Sequence, residues 1–225
     1  LEDGEGTLDA FWMPKDKLRD RDRSLFKFNG YHNLANNWQA RANLNWISDV
    51  RYYEDFNNSI NGLSQSTSFS EIGLYGRGHG WDAGVTADHW QLADFTLSES
   101  ILPYNRMPRA YVNWEHDFGR FVKLGINADA TRFHHEVHDG GARFDVKPWV
   151  SLPIERDAWF LRPTLGYRYT SYSLDDGLGQ TLAGNSPSRG QSIFSLDSGL
   201  YFDRDTRIKG KDYLQTIEPR LFYLN

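Results

Sequence analysis

The stretch NWQARANLNW (37–46) alternates without a slip: Trp38, Ala40, Ala42, Leu44 and Trp46 point one way, and Gln39, Arg41, Asn43 and Asn45 the other. Successive side chains leave a pleated backbone on opposite faces, so this period of two predicts a strand with one apolar and one wet face. A half-buried strand of a soluble sandwich would alternate as well. The two tryptophans add a length, because indole settles where oil meets water. At roughly 3.3 Å per residue and a tilt of about 40°, the span from Trp38 to Trp46 rises about 20 Å, close to the apolar band of about 25 Å on an outer-membrane barrel.

The pattern recurs in about eleven segments: 6–13, 24–34, 38–48, 67–77, 81–91, 109–117, 121–133, 143–154, 159–173, 191–203 and 212–224. Trp81, Ala83, Val85 and Ala87 form one apolar set, and Ala110, Val112 and Trp114 another. Val122, Leu124, Ile126, Ala128 and Ala130 alternate with Lys123, Gly125, Asn127, Asp129 and Thr131. Phe144, Val146, Val150 and Leu152 alternate with Asp145, Lys147 and Ser151. Trp159, Leu161, Leu165, Tyr167 and Tyr169 alternate with Arg162, Thr164, Arg168 and Thr170. The polar sets place Arg41, Asn43, Glu115, Lys123, Asp129, Lys147, Arg162 and Arg168 on the wet face. Two readings of that face stand: a hydrated lumen, which any barrel needs, or contact with a plug protein or an amphipathic cargo.

Connection lengths alternate too. Short turns are predicted at 34–37, 78–80, 118–120, 155–158 and 206–211, and long polar loops at 14–23, 49–66, 93–108, 134–142 and 174–190. A meander that crosses a membrane has this asymmetry, whereas a sandwich has no reason to gather its long loops at one end. Two features resist. Residues 87–98 also carry Ala87, Trp90, Ala93 and Leu97 at helical spacing, so a short helix competes there. Pro148, Pro163 and Pro219 fall inside predicted strands, where each lacks a ladder donor and calls for a bulge or kink.

Composition narrows the class. The 225 residues include 14 Phe, 12 Tyr and 8 Trp, and no Cys, which removes disulfides and Cys-ligated zinc. Mean hydropathy is negative and no run of 18 apolar residues occurs, which excludes a transmembrane helix. A barrel is not excluded, because the polar half of each strand dilutes the average. A net charge of -5 with scattered Lys and Arg gives no basic stripe for a nucleic acid. The chain begins at Leu1 and stops at Asn225 inside a predicted strand, and is expected to be an internal piece of one barrel domain, incomplete at both ends.

Few segments suggest chemistry. In a strand His134, Glu136 and His138 of HHEVHD (134–139) would share a face suited to zinc, but a solvated loop tip before Gly140 and Gly141 reads as well and supplies no supporting shell. Ser98 and Ser100 lie in no G-x-S-x-G elbow, so a Ser-His hydrolase has no sequence support. Residues 76–80 (GRGHG) share only glycines with a phosphate loop and predict a tight turn. The mixed-sign stretch KDKLRDRDR (15–23) reads as a solvated loop tip, or as a contact for anionic sugars or phosphates. No catalytic or metal-ligating residue is assigned and no cofactor is expected.

Five segments resemble one family. YLQTIEPRLFYL (213–224) resembles the Q-T-[LI]-E-P-R-x-x-Y-L signature of the lipopolysaccharide-assembly proteins of the Gram-negative outer membrane (the LptD, OstA or Imp family), with Gln215, Thr216, Ile217, Glu218, Pro219, Arg220, Tyr223 and Leu224 in place. ISDVRYYEDF (47–56) is similar to the family's S-D-x-x-Y-x-x-D-[FL] segment, LPYNRMP (102–108) to P-Y-x-R-x-P, KPWVSLPI (147–154) to P-x-[VI]-[SN]-L-P, and SLDSGLYFDRDT (195–206) to [VL]-D-S-G-L-Y-F-[DE]-R.

The resemblance implies an arc of a much larger antiparallel barrel, about half of a wall with open edges. That barrel would be plugged by the lipoprotein LptE, receive lipopolysaccharide from periplasmic bridge proteins through an N-terminal jellyroll, be folded by the barrel-assembly machinery, and sit among outer-membrane lipids. The jellyroll, the first gate strands, the closing strands and the paired cysteines of the family are not in this sequence, so these residues are expected to build wall rather than to transport alone. A generic porin, an outer-membrane hydrolase and a soluble glycan-binding sandwich are the competing functions.

Overall fold

The computed structural model describes residues 3–56, 66–175 and 185–225. The elements are β1 (Gly4–Asp16), β2 (Arg21–Asn33), β3 (Trp38–Ile47), α1 (Tyr52–Phe56), β4 (Thr67–Gly78), β5 (Trp81–Leu92), β6 (Asn105–Phe118), β7 (Val122–His134), β8 (Gly141–Ser151), β9 (Ile154–Glu155), β10 (Trp159–Leu174), β11 (Ser188–Leu200), β12 (Phe202–Ile208), β13 (Lys211–Ile217) and β14 (Arg220–Leu224), with one 3-10 turn at Glu99–Ile101. The chain is all-β. One sheet runs β1-β2-β3-β4-β5-β6-β7-β8-β10-β11-β14, with β9 on β10, and β12 pairs β13 in a second. Pairing follows chain order, as a meander requires, and no helix among the described residues is long and apolar enough to cross a membrane.

The period-2 reading finds the strands. Three expectations change. The long loop predicted at 14–23 is a short turn at 17–20, because the ladder continues to Asp16↔Arg21 past an irregularity between Met13 and Asp16. Pro14, which cannot donate to a ladder, falls inside that irregularity, and Lys15 beside it takes φ 50°. The competing helix over 87–98 does not form: β5 stays registered on β4 as far as Thr67↔Leu92, so pairing overrides helical spacing. The last two predicted strands are each broken in two, at Tyr201 and at Glu218–Pro219, where Leu200 N–H donates to the Pro219 carbonyl at 3.1 Å. Pro219, with no N–H of its own, stands at this break, whereas Pro148 and Pro163 stay inside β8 and β10.

The other long connections lie where predicted, at 48–66, 93–104, 135–140 and 175–187, although 57–65 and 176–184 fall outside the described residues. GRGHG closes a tight turn, with Gly80 at φ 73°. Registered partners of β1 lie in β2, and those of β14 in β11.

The residues cluster into two compact units, one within Leu1–Val112, Asp129–Phe144 and Ser171–Pro187, the other within Asn113–Ala128, Asp145–Thr170 and Ser188–Asn225. In the first unit a small apolar core of Ile47, Tyr52 and Ala93, flanked by Leu25, Tyr53 and Phe56, seats α1 against β2 and β3. Elsewhere burial is inverted. Among the described residues the polar Arg23, Asp88 and Ser68 are fully buried, while Ile72 (51%), Val85 (51%) and Leu165 (55%) are exposed. Such an arrangement wastes apolar surface in water and suits an apolar surround.

Candidate functional site

The polar face is a set of cross-strand rows, placed by register. In the first unit Thr7, Asn29, Asn43, Glu71 and Asp88 stand opposite one another across β1 to β5. Arg106 continues the row: its backbone N–H donates to Asp88 Oδ1 at 2.7 Å and its Nε to Oδ2, so the buried Asp88 carboxylate meets a cation. Asp129 holds two arginines, Arg109 at 2.8 Å and Arg143 at 2.9 Å, and accepts from the Thr131 hydroxyl at 2.7 Å. Arg41 donates to Gln39 Oε1 and lies over the Tyr75 ring at 5.1 Å.

The second unit repeats the theme. Lys123 reaches Glu115 at 2.9 Å and Asp117 at 3.9 Å, and Asn127 donates to Asn113 at 2.8 Å. Asp145 accepts from Arg168 at 2.8 Å and from the Thr170 hydroxyl at 2.5 Å. Arg162 is bound by Glu155, with Asp197 at 3.9 Å. Lys147 is half-buried and has no ion-pair partner among the described residues. The eight residues read from the wet face therefore do not converge on one point. They spread along the strands, mostly in separate ion pairs and hydrogen bonds.

The signature segments turn out to be partners. Gln215 and Thr216 on β13 stand opposite Arg204 and Asp203 of β12, Glu218 and Pro219 form the break, and Arg220 opens β14. The Arg220 guanidinium grips Asp197 of β11 with two bonds, 2.6 and 2.8 Å, in the forked geometry that only arginine offers. Just past the break, β14 is thus pinned to β11 by one residue from each motif.

The strongest polar cluster lies where β1, β2 and β3 meet α1, and sequence reasoning missed it. Arg23 is fully buried, with Asp49 at 2.9 Å, Asp55 at 2.6 Å and Asp16 at 3.2 Å, while its guanidinium stands 4.6 Å from the Phe56 ring. Arg19 adds a second fork to Asp55, both bonds 2.9 Å. The sequence signal is present, since Arg23 is in phase with Leu25, Lys27 and Asn29 on the wet face, but the mixed-sign stretch 15–23 reads as a loop tip. Its acids are far apart in sequence, and only the folded loop gathers them.

These bonds, Arg19 first and then Arg23, hold the Asp55 carboxyl down to about 2 from its usual 3.8. A carboxyl depressed on folding contributes stability above its ordinary value, and loses it as pH falls through the folded one. α1 is therefore expected to stay docked down to about pH 4 and to release between about pH 4 and 2, read as protease cleavage within 48–66 against pH. Cleavage that sets in at pH 6 would exclude Asp55 as the anchor.

The histidine stretch does not make a metal face. β7 ends at His134, so His134, Glu136 and His138 do not continue along one strand. Buried His135 accepts the Val137 and His138 N–H groups on Nδ1, at 3.0 and 3.1 Å, which leaves the proton on Nε2 to donate to the Leu102 carbonyl at 3.0 Å. With Tyr104 donating to the Asp139 carbonyl at 3.1 Å, it ties the loop at 135–140 to that at 93–104. Among the described residues no three His, Asp or Glu side chains are grouped to hold a metal.

With this geometry in hand, comparison with known proteins adds the family. Residues 21–225 match the family model LptD, LPS transport system D. The chain is 46% identical over 256 residues to the LPS-assembly protein LptD of Xanthomonas euvesicatoria pv. vesicatoria, covering 99% of the chain and 32% of that relative. It is 45% identical over 245 residues to the LPS-assembly protein LptD of Xylella fastidiosa, covering 99% of the chain and 31% of the relative. The chain thus spans about a third of the length of these relatives. A match over nearly all of its residues, by segments that the structure shows paired as the motifs Asp197 and Arg220 belong to, leaves one conclusion: the chain belongs to the LptD family of LPS transport proteins.

Proposed function

We propose that this chain is part of the membrane-spanning wall of an outer-membrane lipopolysaccharide translocon. The observation that carries the reading is the family match over residues 21–225 on a sheet whose apolar residues face out and whose ion pairs line the opposite face. On this reading the face with Ile72, Val85 and Leu165 lies in hydrocarbon, where strands serve because every backbone group finds a partner in the sheet. Arg41, Asn43, Glu115, Lys123, Asp129, Lys147, Arg162 and Arg168 face the lumen, beside the sugar part of lipopolysaccharide and a plug lipoprotein of the LptE kind. Further strands of the same barrel pair the free edges of β1 and β14, since an unpaired edge costs several kcal/mol per group in lipid. The role is to enclose and guide; the wall makes and breaks no covalent bond.

Depletion of the full-length protein in living cells tests the reading. Surface-exposed lipopolysaccharide, labelled on intact cells, is expected to fall while newly made lipopolysaccharide accumulates inside. Unchanged surface lipopolysaccharide with reduced uptake of small solutes would point to a porin instead.

A further inference from the structure

At the short-turn end of β2 to β5 the polar face opens into a cavity of about 750 Å³, within the range of about 300–1,000 Å³ typical of small-ligand sites. Among the residues lining it are Asn33, Gln39, Arg41, Tyr75 and Tyr111. Two glycines shape the floor. A Cβ on Gly73 would stand 2.9 Å from the Tyr75 ring and one on Gly84 2.7 Å from the Tyr111 ring, so both rings lie down against bare backbone, where any larger residue would lift them. The rim is rich in amides: Gln39 donates to Asn33 at 2.6 Å, and Asn36 and Asn37 form the β2–β3 turn with φ 60° and 65°.

Arg77 and Asp82 line the cavity too, and Arg41 brings a guanidinium against the Tyr75 ring. Among the described residues its bonds run to Gln39 Oε1 and the Tyr75 ring face, and no carboxylate meets it, although Arg23, Arg106, Arg109, Arg143 and Arg168 all have one. Its terminal nitrogens keep donors in the fork that fits a phosphate or carboxylate. Arg41 lies over Tyr75 and Arg109 over Tyr111, so the rings seat cations, and the neighbouring amides offer donors and acceptors to the hydroxyls of a sugar.

We propose that this cavity is a binding subsite for an anionic saccharide: its hydroxyls meet Asn33 and Gln39, and its phosphate or carboxylate substituent is held by Arg41, seated on the Tyr75 ring. The inference rests on the translocon reading and locates one resting point for the sugar part on that wall.

The test places a benzophenone photocrosslinker at position 34, where Leu34 lines the same cavity, in the full-length protein purified with its partners and incubated with lipopolysaccharide. A lipopolysaccharide adduct is expected. Its yield should drop about tenfold with Arg41→Gln, the loss of one charge-assisted contact, and be largely kept with Arg41→Lys. Lipopolysaccharide stripped of phosphate should show the same drop if phosphate is the anion, and no drop if a sugar-acid carboxylate is. Equal yields with and without Arg41, or an adduct to a protein partner in place of the glycolipid, would overturn the subsite. A second crosslinker at position 127 separates the two claims: an adduct there but none at position 34 removes the subsite and keeps the translocon, while silence at both removes both.

Discussion

Replacing Arg23 by Met is expected to destabilise the protein by about 3–5 kcal/mol, the range for removing one partner from a buried ionic cluster. The change strips the cation from Asp16 and Asp49, whose side chains are only 11% and 8% exposed, and leaves Asp55, 11% exposed, to Arg19 alone. It also removes the guanidinium from the Phe56 ring, so α1 loses one of its two charge anchors and part of its packing together. Equilibrium unfolding of the full-length protein in detergent gives the magnitude, and protease sensitivity of 48–66 gives the place. A triple variant that also carries Asp16→Asn and Asp49→Asn should recover part of the loss, because the stranded charges are gone. Arg23→Lys should fall between, keeping charge but not the fork on Asp49, whose bonds are 2.9 and 3.1 Å. A loss below about 1 kcal/mol for Arg23→Met would show that the cluster is wet and contributes as a surface pair does.

On the apolar face, Ile126→Arg near the middle of β7 is expected to cost about 2–4 kcal/mol in a bilayer, and Val122→Arg at the strand end only about 0–1 kcal/mol, because the penalty for a charge fades toward the interface. Lys123→Ala, on the opposite face of the same strand, breaks a partly exposed pair with Glu115 and should cost about 1 kcal/mol or less. Folding titrations into lipid vesicles read all three. Equal costs at 122, 123 and 126 would remove the assignment of the two faces, and with it the wall.

Much of the fold was legible because alternation is a local property. Trp38 to Trp46 declares its two faces from covalent geometry alone, whatever the strand pairs with. The long loops at 48–66, 93–104, 135–140 and 175–187 were legible for a related reason, since polar runs with no period have no face to bury. Reading failed where a strand carried charge at its end. KDKLRDRDR looks like a loop tip, yet Asp16 and Arg21 pair across it, and Arg23 turns inward because acids from elsewhere receive it. The metal reading of His134, Glu136 and His138 failed because it assumed a strand that stops at His134.

The sequence by itself determined that the strands are two-faced, that they follow one another as a meander, and that the chain carries the motifs of its family. Those are matters of side-chain order along the backbone, which the pleat turns directly into opposite faces. Tertiary structure alone decided which polar groups meet: Arg23 with acids 7, 26 and 32 positions away, Arg220 with Asp197, and Arg41 with Gln39 and, among the described residues, no acid. The reason is register. Partners across strands depend on how distant segments are aligned and where Pro219 breaks a ladder, and a slip of one residue would send every side chain of a strand to the other face.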